Sequence, residues 1–178
     1  MKQMNLGFKQ AGVTLIELIV GLVIIALIVS GALALFGTAQ SSQTSTQMVQ
    51  DLTSLRSTTK ALFLGQGNYG TATTSLNNIL VTAKRVPSTM MIDTTTTPNT
   101  ITHSLNGTVN VDVAATNTQF TITLTNIPAD VCVPLLSGAR DWFSVKAGTA
   151  TAVTTFPVSP AAAATDCATG TTLVFTGS

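Results

Sequence analysis

A single acid, Glu17, follows Val13, Thr14, Leu15 and Ile16, and from Leu18 to Phe36 the chain carries no charge. A carboxylate withdrawn from water costs several kcal/mol unless it meets a positive partner. Its place at the edge of an apolar run therefore predicts ion pairing rather than catalysis. A second chemistry is offered by Cys132 and Cys167, which are far apart and lack metal-ligand spacing. In an oxidising compartment they predict one disulfide, worth about 3–4 kcal/mol by loop-closure entropy. Two buried free thiols are the alternative. Between the cysteines lie Arg140, Asp141, Trp142 and Lys146, a charge cluster in a chain of which only 8% is charged. That cluster is a candidate surface contact, with Trp142 read either as a core residue or as an exposed binding contact.

Catalytic chemistry has no footing here. His103 is the sole histidine and sits in a Thr-rich stretch without an Asp/Ser or Cys constellation, so it is expected to be a solvated loop residue. No H-E-x-x-H, P-loop or dinucleotide fingerprint occurs, and the acids are scattered singly, so neither a two-carboxylate centre nor a calcium loop is expected. The expectation is a protein that is not an enzyme, with no metal and no cofactor. Beyond Gly12 there are six basic and seven acidic side chains, which leaves no basic face for nucleic acid.

The elements that must position Glu17 and the cysteines follow from periodicity. Residues 1–12 form a polar leader carrying Lys2 and Lys9. Those lysines put the N-terminus in the cytoplasm and everything after Phe36 outside. Residues 18–36, nineteen in number, would span about 29 Å as a helix, close to the hydrocarbon thickness of a bilayer. The pattern then continues: Met48, Leu52, Leu55, Thr59 and Leu62 recur at spacings of four and three, one face of a helix. A helix over 14–64 is predicted, roughly 75 Å long. Gly21, Gly31 and Gly37 lie within it or at its edge, where they would permit close packing or local unwinding. Gly65, Gly67 and Gly70 end it. A short helix over 76–86 is predicted next, capped by Ser75, with Leu76, Ile79, Leu80 and Ala83 inward and Pro87 as its stop. Thr94 to Pro98 reads as a loop. Val109, Val111 and Val113, then Phe120, Ile122 and Leu124, alternate as a hairpin. A turn of helix from Pro128, strands at 142–145, 152–156 and 173–175, and a loop at the alanine run 161–164 complete the reading.

The run G-V-T-L-I-E-L-I-V-G-L-V-I-I at 12–25 resembles the processing site and N-terminal helix of type IV pilins. Val13 in place of Phe, the hairpin, N-I-P-A-D-V-C at 126–132 and the second cysteine near the end are similar to the type IVb branch, in enteric and conjugative thin-pilus pilins. The resemblance implies an α+β fold: a long N-terminal α-helix packed against an antiparallel β-sheet, with a disulfide-bounded C-terminal loop. It implies cleavage between Gly12 and Val13 by a prepilin peptidase, methylation of the new amine, and handling by the inner-membrane pilus assembly machinery. Glu17 would then dock the Val13 amine of the next copy in a helical homopolymer. The expected domains are a leader at 1–12, a transmembrane and assembly helix at 13–37, and a globular domain at 38–178. That domain divides into the helix back half at 38–64, a connecting region at 65–106, and the sheet and disulfide region at 107–178. The precursor is expected in the bacterial inner membrane and the product in an extracellular filament that touches host or recipient cells. Rival readings are a type II secretion pseudopilin, a minor pilin, or a secreted binding module released after Ala34.

Overall fold

The computed structural model describes residues 14–178, apart from the side chains of 34–39. Gly12, Val13, the expected leader and the surroundings of Gly37 lie outside the described residues. Two compact units divide the chain, Met1–Gln40 and Ser41–Ser178. Helix α1 (Leu15–Leu62) contributes to both.

In the first unit α1 is opened by Thr14, whose hydroxyl oxygen accepts from the Glu17 N–H at 3.4 Å and whose carbonyl accepts from Leu18 at 3.1 Å. Thr14 is thus an N-cap whose side chain satisfies one orphan donor of the first turn while its carbonyl accepts the first intrahelical bond. Leu15–Leu33 has a mean hydropathy of 2.7 and none of it is buried within the chain. Ser30 donates its hydroxyl back to the Leu27 carbonyl at 2.9 Å. The polar atom is therefore satisfied inside the helix, as an apolar environment requires. A Cβ at Gly21 or Gly31 would meet nothing within the chain.

In the second unit the predicted α1 stripe is inward. Met48, Leu52, Leu55 and Thr59 are buried, with Leu62 half-buried beside them. Ser45 is buried as well; its hydroxyl donates to Ser41 O and that of Thr59 to Leu55 O, both at 2.7 Å. These back-bonds let two polar residues share an apolar face without an orphaned group.

Six strands form one antiparallel sheet: β1 (Met91–Asp93), β2 (Thr100–Thr102), β3 (Thr108–Val113), β4 (Phe120–Leu124), β5 (Ser144–Ala147) and β6 (Leu173–Gly177). Their spatial order is β1-β2-β3-β4-β6-β5, so the last strand inserts between β4 and β5. The predicted hairpin is β3–β4, in a register that sets Val111 opposite Ile122. Its turn includes Asn117 at φ 58°, a left-handed position that Asn tolerates. Val109, Val111, Val113, Phe120, Ile122, Leu124, Leu173 and Phe175 are buried in one cluster with Met48, Leu52 and Leu55. At about 25 cal/mol per Å² this shared apolar burial is the main force holding α1 to the sheet.

Three short helices complete the unit: α2 (Asn77–Thr82), α3 (Ala129–Gly138) and α4 (Pro160–Cys167). Several expectations need correction. Helix α2 is only six residues long, and Ile79 and Ala83 are exposed; Leu76, Asn77 and Leu80 are the buried ones. Lys84 at φ 54° ends it before Pro87 can. The alanine run is not a loop. It is α4, with the Ser159 hydroxyl accepting from Ala162 N at 3.2 Å and Pro160 at the first turn. Residues 152–156 make no strand beyond one bridge between Val153 and Val145. Trp142 precedes β5 rather than opening it, whereas residues 94–98 are the loop expected, set between β1 and β2.

Candidate assembly segment and disulfide-bounded face

Glu17 is the third residue of α1 and is exposed. Its spacing after Thr14 is the S/T-x-x-E arrangement of a capping box, and a carboxylate in a first turn is favoured by the helix dipole by about 0.3–1 kcal/mol. That sum is too small to explain why an acid borders a run of membrane length.

Cys132 on α3 and Cys167 at the end of α4 are joined, with Cα atoms 5.9 Å apart and a sequence separation of 35. Both are buried, so the bond lies within the apolar layer where α3 meets α4. Pro134 sits inside α3 and removes one backbone donor, yet Val131, Cys132, Leu135 and Leu136 stay buried on one side. At the start of the unit, Ser41 donates to the Asp130 carboxylate at 2.6 Å, tying α1 to the first turn of α3.

The charge cluster is only partly a cluster. Arg140, Asp141 and Trp142 share a recess with Arg56 of α1, whereas Lys146 points outward from β5 and is not part of it. Arg56 is the member that sequence reasoning missed. Its guanidinium lies 5.1 Å from the Trp142 ring centroid and donates through Nη2 to the Asp141 carbonyl. Trp142 is half-buried and also packs 5.1 Å from Phe175. It is neither a full core residue nor a free contact. No signal in sequence joins Arg56 to positions 85 residues away.

His103 is buried, against expectation. Its Nε2 donates to the Thr125 carbonyl at 2.8 Å and its Nδ1 accepts from the Leu105 N–H at 3.2 Å. Both nitrogens are satisfied only in the neutral ring. Gly107 makes this possible, since a Cβ there would collide with the Thr125 carbonyl and the imidazole. Burial lowers the His103 pKa below 6.5. The unfolded chain therefore takes up a proton near pH 6.5 that the folded one refuses until lower pH. His103 thus contributes stability that is complete above that value and is lost as pH falls below it. Asp112, whose carboxyl burial pushes upward, has the opposite slope at lower pH. Urea midpoints should decline as pH drops below 6.5, and the decline should flatten in His103→Gln. An unchanged profile in that variant would assign the slope elsewhere.

Comparison with known proteins identifies this architecture. The PilS N-terminal family matches residues 41–178, beginning where the second unit begins. The prokaryotic N-terminal methylation motif matches residues 7–33. A solved structure, a type IV b pilin from Salmonella typhi, is similar at a TM-score of 0.54 and 26% identity, covering 71% of this chain and 96% of that one. The chain belongs to the type IVb pilins. No curated protein sequence matches it. The pilin is a structural subunit and not an enzyme. Its methylation motif implies processing by a prepilin peptidase and polymerisation into pili. That motif and the exposed apolar helix fit a membrane-anchored precursor.

Proposed function

We propose that this pilin is the major subunit of a type IVb pilus whose filament serves adhesion, cell aggregation or conjugative contact. The precursor lies in the inner membrane with residues 1–12 as its leader, is cut between Gly12 and Val13, and enters the fibre through 13–37. Globular residues 38–178 clothe the outside. Cleavage removes Lys2 and Lys9, which hold the helix at the cytoplasmic surface, and creates a cation at Val13 that is mostly protonated at neutral pH. In the fibre this amine pairs with Glu17 of the neighbouring copy.

One observation carries the reading most strongly: Leu15–Leu33 is wholly unburied by its own chain, yet carries an acid, Glu17, in its first turn. Such a helix must move between lipid and other protein without meeting water, and in a homopolymer its own copies supply that protein. The experiment is N-terminal sequencing of protein sheared from the cell surface, together with electron microscopy of cells lacking the gene. Val13 should be the first residue, and filaments should vanish with the gene. A retained leader, or a start at Leu35, would overturn the proposal in favour of an anchored or secreted module. Filaments that persist without the gene would make this a minor subunit.

A further inference from the structure

The recess around Arg56 has the make-up of a ligand site. It is a half-open cavity of about 150 Å³, walled by Val49, Leu52, Leu135 and Phe175, with Arg56 and Arg140 among its polar residues. That volume is on the order of a cavity that accepts a six-carbon ring. Apolar walls with few polar groups are the usual composition of small-ligand pockets. Arg56 supplies the decisive feature. Its Nη2 is engaged by the Asp141 carbonyl, while its Nε is buried and has no hydrogen-bond partner. A buried donor left unmade is costly and needs a reason. Trp142 holds the guanidinium from one side, so the fork is pre-positioned rather than free to seek solvent. Two opposing groups are present, the Asp141 side chain and the C-terminal carbonyls of α3, against two arginines, Arg56 and Arg140, in the lining.

We propose that this cavity binds a small monocarboxylate, its carboxylate held by Arg56 and Arg140 and its aliphatic or aromatic body, about six carbons, against Leu52, Leu135 and Phe175. The site is independent of whether the pilin is a major or a minor subunit.

Trp142 is the only tryptophan in the chain and lies in the cavity wall, so its emission reports occupancy. Full-length pilin in a non-ionic detergent would be titrated with 4-methylpentanoate and, separately, with its uncharged amide. The acid should give a saturable change with a Kd on the order of 1 mM, and the amide should bind at least about tenfold more weakly. Arg56→Gln should abolish the change. Arg140→Gln, at an exposed position, should weaken it several-fold, and Lys146→Gln should leave it unaltered. Intact pili should bind as the dispersed pilin does. Equal binding of acid and amide, binding indifferent to both arginine variants, or no saturable response would each overturn the proposal. Binding by dispersed pilin that is lost in pili would also overturn it, since a neighbouring copy would then own the cavity.

Discussion

Glu17→Ala is expected to leave the precursor inserted and cleaved, yet to lower the yield of surface filaments by roughly 100-fold or more. The magnitude follows from the proposed pairing with the Val13 amine of the next copy. Removing one partner of a buried ion pair costs about 3–5 kcal/mol, because the other charge is then stranded. At about 1.4 kcal/mol per factor of ten, even the lower figure weakens each contact more than 100-fold, and a polymer repeats the loss at every joint. The competing roles of Glu17 are far smaller. Its position three residues after the Thr14 cap is worth about 0.3–1 kcal/mol through the helix dipole, which would trim helix stability and leave assembly nearly intact. Quantifying sheared pili from Glu17→Ala and Glu17→Gln cells, beside immunoblots for cleavage, separates these cases. Glu17→Gln keeps a polar side chain of the same length but no charge, so it should fail as Glu17→Ala does. Normal filaments from either variant would remove the docking role.

The second large effect is expected from the disulfide. Joining Cys132 to Cys167 closes a loop of 35 residues. The chain-entropy relation assigns that closure about 4 kcal/mol of stability. For a unit of this size the melting temperature should fall by about 10–15 °C when the bond is absent. Both cysteines are buried among apolar neighbours, so serine at either site would add the cost of a hydroxyl without a partner. The double variant Cys132→Ala/Cys167→Ala is therefore the cleaner measurement. Thermal unfolding followed by circular dichroism, with the reduced native protein for comparison, reads the effect. A shift below a few degrees would show that α3 and α4 hold together by packing alone.

Much of α1 was legible because it rests on one-dimensional periodicity. The spacing of Met48, Leu52, Leu55 and Thr59 makes a single face whatever that face later meets, and all four are buried. The β3–β4 hairpin was legible for the same reason, since alternating Val109–Val113 and Phe120–Leu124 encode their own register. Helix α4 could have been read as well: Ser159 as cap, Pro160 in the first turn and four alanines are strong local helix signals. Composition alone misleads there, because a run of small residues beside a proline also suits a loop.

The misread parts share one cause. His103 sits among threonines and glycine, a context that signals solvent, yet its two nitrogens are met by the backbone of Thr125 and Leu105. Only the fold of β4 over the β2–β3 turn brings that carbonyl to the ring. Ile79 and Ala83 share an apolar face with Leu76 and Leu80 by helical spacing, but α2 is too short for that face to close and both stay exposed.

The sequence by itself determined the apolar helix, its lone acid, the inward stripe, the central hairpin and the two cysteines that would pair. Each is a property of residue type and local spacing, and no partner need be known. Tertiary structure alone decided that the last strand inserts between β4 and β5, that His103 is enclosed, and that Arg56 rather than Lys146 joins Trp142. Those depend on contacts between residues 22 to 86 positions apart, where chain entropy erases any local trace of the pairing.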